Sequence, residues 1–195
     1  MPDAATVTLA DIMSAARVIR GVADATPLVP SPFMESRSGQ PFWLKLENMQ
    51  PIGAFKLRGA TNALLQLTPE QRAKGVTAAS TGNHGRALAH AAAAEGVRCI
   101  VCMSALVPRN KLDAIAALGA ETRIVGRSQD EAQIEVDRLV AEEGMTNVPP
   151  FDHPAIVAGQ GTIGLEIVAD LPDVETVLVP LSGGGLVAGI ALSLI

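Results

Sequence analysis

Apolar residues recur at helical spacing over Leu9–Val22, with Ile12, Ala16 and Ile19 on one stripe. Thr8 before it and Asp11 three residues on read as an N-cap and its capping box. ATPLVPSPF (25–33) is punctuated by prolines and reads as extended chain, while PFWLKLEN (41–48) alternates like a strand. QPIGAF makes a turn, and a helix follows over Lys56–Leu67, ended ahead of Pro69. A regular alternation then begins. Strand Val76–Ser80 leads to helix Arg86–Glu95, strand Arg98–Met103 to helix Pro108–Leu118, and strand Glu121–Val125 to helix Ser128–Glu143. Glycines 96, 119 and 144 close the three helices. After VPPFDHP (148–154) come a helix near Ile156–Ala169, a strand over Thr176–Leu181, a glycine turn and a further helix start. This order predicts an α/β fold: open parallel twisted sheets, right-handed crossovers and helices on both faces. The proline-rich Val148–Pro154 is the candidate domain crossing. It divides the chain into a larger domain, 1–74 with 149–195, and a small α/β domain, 75–148.

Composition narrows the function classes. With 48% apolar residues in 195, the chain can bury a core, so wholesale disorder is excluded. A net charge of −5 and 3% aromatic content argue against a nucleic-acid partner, which wants a basic surface. Residues 1–13 carry neither a basic n-region nor an apolar h-region, so no secretory signal is expected. Cys99 and Cys102 form C-x-x-C, but on a strand their odd offset sends the two thiols to opposite faces. They read as buried small apolar residues in a cytoplasmic protein rather than a redox or zinc pair. Thr176–Ile195 is uncharged and about as long as a membrane span. Yet Pro180 and glycines 183, 184, 185 and 189 make it a strand, turn and helix, so no membrane partner is expected.

Three stretches carry candidate chemistry. Ser182-Gly183-Gly184-Gly185 follows an apolar strand and opens a helix, where free N–H groups and the helix dipole favour an anion such as a phosphate. It also fits a loose G-x-G-x-x-A ending at Ala188, so a dinucleotide site or an ordinary strand-to-helix turn are competing readings. Ser80-Thr81-Gly82-Asn83-His84-Gly85 sets two hydroxyls, an amide and an imidazole at another strand-to-helix handover, a place to hold a carboxylate. His84 alone could equally be a capping histidine, and the three histidines show no metal spacing, so no metal site is expected. Lys56 differs from Lys45 and Lys74, which have ordinary solvated settings, and from Lys111 within a helix start. Placed at the first turn of a helix, its ammonium is disfavoured by the dipole and primed as a nucleophile. An exposed helix-start lysine is the plain alternative.

Together KLENMQPIGAFKLRGA (45–60), STGNHGRALA (80–89) and VPLSGGGLVAGI (179–190) resemble the serine/threonine dehydratase and serine racemase family. These are pyridoxal-phosphate enzymes of the tryptophan-synthase-β fold type (fold type II). ATPL (25–28), LVPRNKLDAIAALGAE (106–121) and AGQGTIGLEI (158–167) support the likeness, which covers nearly the whole chain. The resemblance implies that Lys56 forms the Schiff base with pyridoxal 5'-phosphate and Phe55 lies against it. It further implies that Asn83 meets the ring 3-hydroxyl and that Ser182, Gly183, Gly184, Gly185 and Leu186 hold the phosphate. Ser80, Thr81, Gly82, Asn83 and His84 would hold the carboxylate of a small amino-acid substrate. The implied reaction is α,β-elimination of a hydroxy amino acid such as L-threonine or L-serine to a 2-oxo acid and ammonia, by a homodimer in the full-length form.

Two departures bear on this. Ala54 stands where many members carry serine, as in some dehydratases. Thr81 stands where the racemase has its opposite-face serine acid, which ranks elimination above racemisation while keeping Thr81 a candidate catalytic residue. A dinucleotide-binding oxidoreductase and a non-catalytic remnant of the same fold are the competing functions. The apolar helix start at the end of the uncharged tail has no C-cap, so the chain is expected to be a fragment whose large domain is incomplete at the C-terminus.

Overall fold

The computed structural model describes residues 7–194. Met1–Thr6, where the reading for a secretory signal begins, and Ile195, the last residue of the uncharged tail, lie outside the described residues. Helix α1 (Leu9–Val18) has the expected capping box: Thr8 Oγ1 accepts from the Asp11 N–H, and the Asp11 carboxylate accepts from the Thr8 N–H. Its buried face is Ile12, Ala15 and, just past its end, Ile19; Ala16 lies beside this stripe.

Strand β1 (Leu28–Pro30) pairs antiparallel with β2 (Trp43–Lys45), Val29 opposite Leu44. Between them helix α2 (Pro32–Ser38) interrupts a segment expected to be extended. Ser31 caps it, Pro32 takes the first turn, where a missing N–H costs nothing, and Gly39 ends it at φ 72°. Lys56–Leu65 forms α3, and Thr68 with Gln71 caps a further helix, α4 (Pro69–Lys74). The proline that ends the expected helix is the same residue that begins the next.

The alternating region forms one parallel sheet from β3 (Val76–Ala79), β4 (Cys99–Met103), β5 (Glu121–Ile124) and β6 (Thr146–Asn147), in the order β5-β4-β3-β6. Helices α5 (Asn83–Ala94) and α6 (Arg109–Ala116) cover one face and α7 (Gln129–Glu143) the other. Leu88, Val101 and Ile115 meet on the first face; Ile100, Val136 and Leu139 meet on the second. Full burial of each such side chain contributes about 1.5–3 kcal/mol. Cys99 belongs to the first cluster and Cys102 to the second, both as free thiols, and burial pushes Cys99 up to about 12. The thiols face away from each other, as their offset on a strand requires.

A second body of packing is helical. Helix α3 lies against α5 on one side and against α8 (Pro154–Asp170) on the other, and α8 packs on α1 and α9 (Gly185–Ser193). Glycines set these distances. A Cβ on Gly159 would stand 2.6 Å from Gly59 Cα, and one on Gly189 would meet the Val157 carbonyl oxygen.

The expected strand Thr176–Leu181 carries no ladder. Its alternation is real: Val177 and Val179 pack against Ile163, Ile167 and Ile190, while Leu178 and Leu181 stay exposed. Among the described residues no neighbouring strand takes up its N–H and C=O groups, so it is extended but unpaired. No helix among the described residues is long and apolar enough to cross a membrane.

Candidate active site

Lys56 is presented by a turn whose ends are anchored and whose middle is glycine. Ile52 and Ala54 are buried, and Gly53 between them adopts φ 72°, a left-handed conformation that side chains resist. Phe55 then occupies the cap position of α3 without a side-chain capping bond, and Lys56 is the first helical residue. Its Nζ donates to the carbonyl of Pro150 at 2.5 Å, with the rings of Phe55 and Phe151 at 5.3 and 6.0 Å. Burial holds its pKa below the ordinary lysine range. Desolvation is therefore the cause the structure supplies for what the helix dipole alone led us to expect.

Two residues along α3, Arg58 anchors the helix. It is 1% exposed and forks onto both carboxylates flanking it: Nε and Nη2 donate to Glu47 at 2.9 and 2.8 Å, Nη1 and Nη2 to Glu166 at 2.6 and 2.9 Å. Thr162 Oγ1 and the Asp24 carbonyl accept its remaining bonds. Burial works against the charged guanidinium, and the two carboxylates outweigh it, so its pKa is raised. Lys45 joins the group at 2.8 Å from Glu166 and donates to the Thr26 carbonyl. Its side chain is 8% exposed, which corrects the expectation of a solvated lysine: the partner acid lies on α8, far away in sequence.

The glycine loop faces Lys56 across a cavity of about 280 Å³, bounded also by Pro150, Phe151, Ile156 and Gln160. Gly184 caps α9 at φ 87°, and no side chain caps that helix, so its first-turn N–H groups have no side-chain partner and carry the positive end of the helix dipole. A Cβ on Gly183 would run into the Phe151 ring, and one on Gly185 would come 2.6 Å from the Phe151 carbonyl oxygen. Only glycine fits this approach. Phe55, Lys56, Ser182, Gly183, Gly184, Gly185 and Leu186 thus share one cavity.

The loop Ser80–His84 does not line that cavity. Ser80 Oγ accepts from the N–H groups of Gly82 and Gly85 and so caps α5, which begins at Asn83, earlier than the pattern predicts. Thr81 and Gly82 are half-buried and Asn83 is exposed. His84 is buried, with Nε2 at 2.7 Å from the Val148 carbonyl oxygen, which requires the proton on Nε2 and leaves Nδ1 a lone pair without a partner. Burial above all, together with the Lys56 charge and against the Val148 hydrogen bond, lowers its pKa to about 4, so the ring is neutral at pH 7.

Pro150, Phe151 and Gln160 border the cavity, and Arg58, Glu47 and Glu166 brace its lysine, though sequence reasoning gave none of them a role. Arg58 and Gln160 lie inside the motifs GAFKLRGA and AGQGTIGLEI, but only the fold says which way they point.

Comparison with known proteins bears on this geometry. Residues 19–195 match the family described as pyridoxal-phosphate dependent enzyme. A Sinorhizobium fredii protein named "Putative threonine dehydratase" is 63% identical over 166 residues, which are 85% of this chain and 50% of that protein. The L-threonine ammonia-lyase of Thermotoga maritima is 42% identical over 188 residues, 96% of this chain and 47% of that protein. Maize serine racemase superposes with a TM-score of 0.93 at 31% identity, covering 96% of this chain and 57% of that one. The chain spans about half the length of the curated relatives it matches.

Proposed function

Because the chain belongs to the pyridoxal-phosphate dependent enzyme family, we propose that the protein carrying it is an ammonia-lyase that eliminates water from a hydroxy amino acid such as L-threonine or L-serine. The products are a 2-oxo acid and ammonia. The observation that carries this reading is a desolvated lysine facing an uncapped, glycine-lined helix start across one cavity. The residues fit the cofactor on their own chemistry: an amine for a Schiff base, a cradle that any Cβ would fill, and a buried amide at Gln160 with neither polar atom partnered. Main-chain N–H groups at Ser182–Leu186 would hold the phosphate, Lys56 would hold the carbonyl carbon, and Phe55 would bound the ring. When bound, pyridoxal phosphate supplies an electron sink for negative charge at the substrate Cα.

This chain's own groups do the rest. Burial increases the neutral fraction of Lys56 at a given pH, and the neutral amine has a lone pair to take the Cα proton even while one of its N–H groups donates to the Pro150 carbonyl. The first turn of α5, which opens with the exposed Asn83 amide and follows the half-buried Thr81 hydroxyl, offers donors to a carboxylate. The neutral imidazole of His84 ties that turn to the Val148 carbonyl, so we assign it to hold the loop in place as well as to face substrate. Two buried free thiols support residence in the reducing cytoplasm, and the full-length form is read as a homodimer.

The test is to incubate the full-length protein with pyridoxal phosphate and L-threonine or L-serine and assay 2-oxo acid. Release that requires the cofactor and is lost in Lys56→Ala supports the reading; cofactor binding without release would leave a non-catalytic member of the fold. Thr81 still places a hydroxyl where the racemase has its serine, so racemisation is the second reading, and D-serine formed from L-serine, followed by chiral chromatography, would select it.

A further inference from the structure

Gln160 is the group that the activity above leaves without a task. It sits in the middle of α8, is 1% exposed, and borders the Lys56 cavity. Neither Nε2 nor Oε1 has a hydrogen-bond partner. Among the described residues the other unpartnered buried atoms lie on Thr61, Thr77, His84 and Arg86, none of which lines this cavity. Buried amides are nearly always satisfied, and one left bare at a cavity wall marks where a ligand completes the set. The side chain is also fixed in place: a Cβ on Gly59 would lie 2.5 Å from Gln160 Nε2, so the amide lies over the α3 backbone one turn beyond Lys56. The next residue, Gly161, packs against α9, since a Cβ there would come 2.8 Å from the Gly189 carbonyl oxygen. The amide therefore lies against the helix that bears the lysine, on a residue that lines the same cavity as the glycine loop.

We propose that Gln160 is a phosphate-binding residue, its side-chain N–H donating to the anionic oxygens held by the glycine loop. This rests on the cofactor reading above. A neutral amide suits the position, because it adds a donor beside the phosphate without adding charge next to Lys56. An apolar residue of similar size would fill the space equally well, so packing does not call for the amide.

The experiment measures the dissociation constants of pyridoxal phosphate and of pyridoxal, by fluorescence titration of the full-length protein, together with the melting temperature of the cofactor-free form. Gln160→Met removes the donor and keeps the volume; Gln160→Glu keeps the shape and sets a carboxylate against the phosphate. Losing one hydrogen bond to a charged group weakens binding by roughly tenfold to a hundredfold. We expect that loss for pyridoxal phosphate in Gln160→Met and a larger one in Gln160→Glu. Pyridoxal should bind all three forms within about twofold, since it lacks the anion that feels the change. The cofactor-free Gln160→Met form should melt no lower than the parent, because two unpaired polar groups have been removed. Unchanged affinity for pyridoxal phosphate, an equal loss for both ligands, or a lowered melting temperature with parent-like affinity would each overturn the assignment. Failure of the parent itself to bind pyridoxal phosphate would overturn the cofactor reading along with it, and is distinguished by that parent control.

Discussion

Arg58→Met is the perturbation whose size follows most directly from the structure. Methionine retains most of the apolar stem and removes a guanidinium that makes four hydrogen bonds to the Glu47 and Glu166 carboxylates from a site 1% exposed. Both acids lie largely buried, with side chains 15% and 22% exposed, and Lys45 at 2.8 Å remains as a partner for Glu166 alone. Removing one member of a buried ion group costs about 3–5 kcal/mol, because the charge left behind is uncompensated. That is a large share of the roughly 5–15 kcal/mol by which domains are stable. The assay is urea unfolding at pH 7, with the midpoint falling at unchanged m. Adding Glu47→Gln to Arg58→Met should recover part of the loss, because the uncompensated charge is then gone. The pH dependence adds a signed check. Burial alone would raise the Glu166 pKa; the Arg58 hydrogen bonds and charge, with Lys45, outweigh it and lower it below 4.5. A lowered carboxylate stabilises the fold above its unfolded pKa and loses that contribution as pH falls through the folded value. Acid below pH 4.5 should therefore erode the parent more steeply than Arg58→Met. A cost below about 1 kcal/mol, the range of exposed pairs, would refute the reasoning.

Gly159→Ala sets a Cβ 2.6 Å from Gly59 Cα and 2.7 Å from the Arg58 carbonyl oxygen, both main-chain atoms that no rotamer change can move. Overpacking of about 1–3 kcal/mol outweighs the roughly 0.5–1 kcal/mol that alanine adds in a helix, so we predict a lower melting temperature and weaker cofactor binding as α3 shifts from α8; an equal or higher melting temperature would contradict the close approach. His84 is held neutral, with its pKa moved from 6.5 to about 4, so the unfolded chain takes up a proton first as pH falls. Stability should be level above pH 6.5 and decline by about 3 kcal/mol toward pH 4, a slope that His84→Gln removes; the same slope in parent and variant would show the proton is taken elsewhere.

Local signals in the sequence carried much of the fold. Thr8 with Asp11 and Ser128 with Glu131 form side-chain caps that start α1 and α7, and Gly144 ends α7 at φ 67° as a terminating glycine should. Elements governed by partners far along the chain were not legible. Pro32, read as extended chain, and Pro69, read as a helix stop, are a different case, a local signal missed, because the adjacent Ser31 and Thr68 cap the helices those prolines begin. Val177 and Val179 alternate like a strand, but a strand also needs a neighbour. Lys45 reads as solvated because its counter-charge Glu166 arrives from α8. At the site, Lys56 and the glycine loop were legible because a helix start is a local feature with a known electrostatic consequence. Gln160 and Arg58 were not, because their meaning depends on which helix each faces.

The central claim is that Lys56 is the residue joined to pyridoxal phosphate, and chemical trapping tests it most directly. Borohydride reduction of the cofactor-treated protein, followed by proteolysis and mass spectrometry, should place one pyridoxyl group on Lys56. Lys56→Ala should lose both the label and the visible absorption band. A label on Lys45, Lys74 or Lys111, or a band that survives Lys56→Ala, would contradict the account.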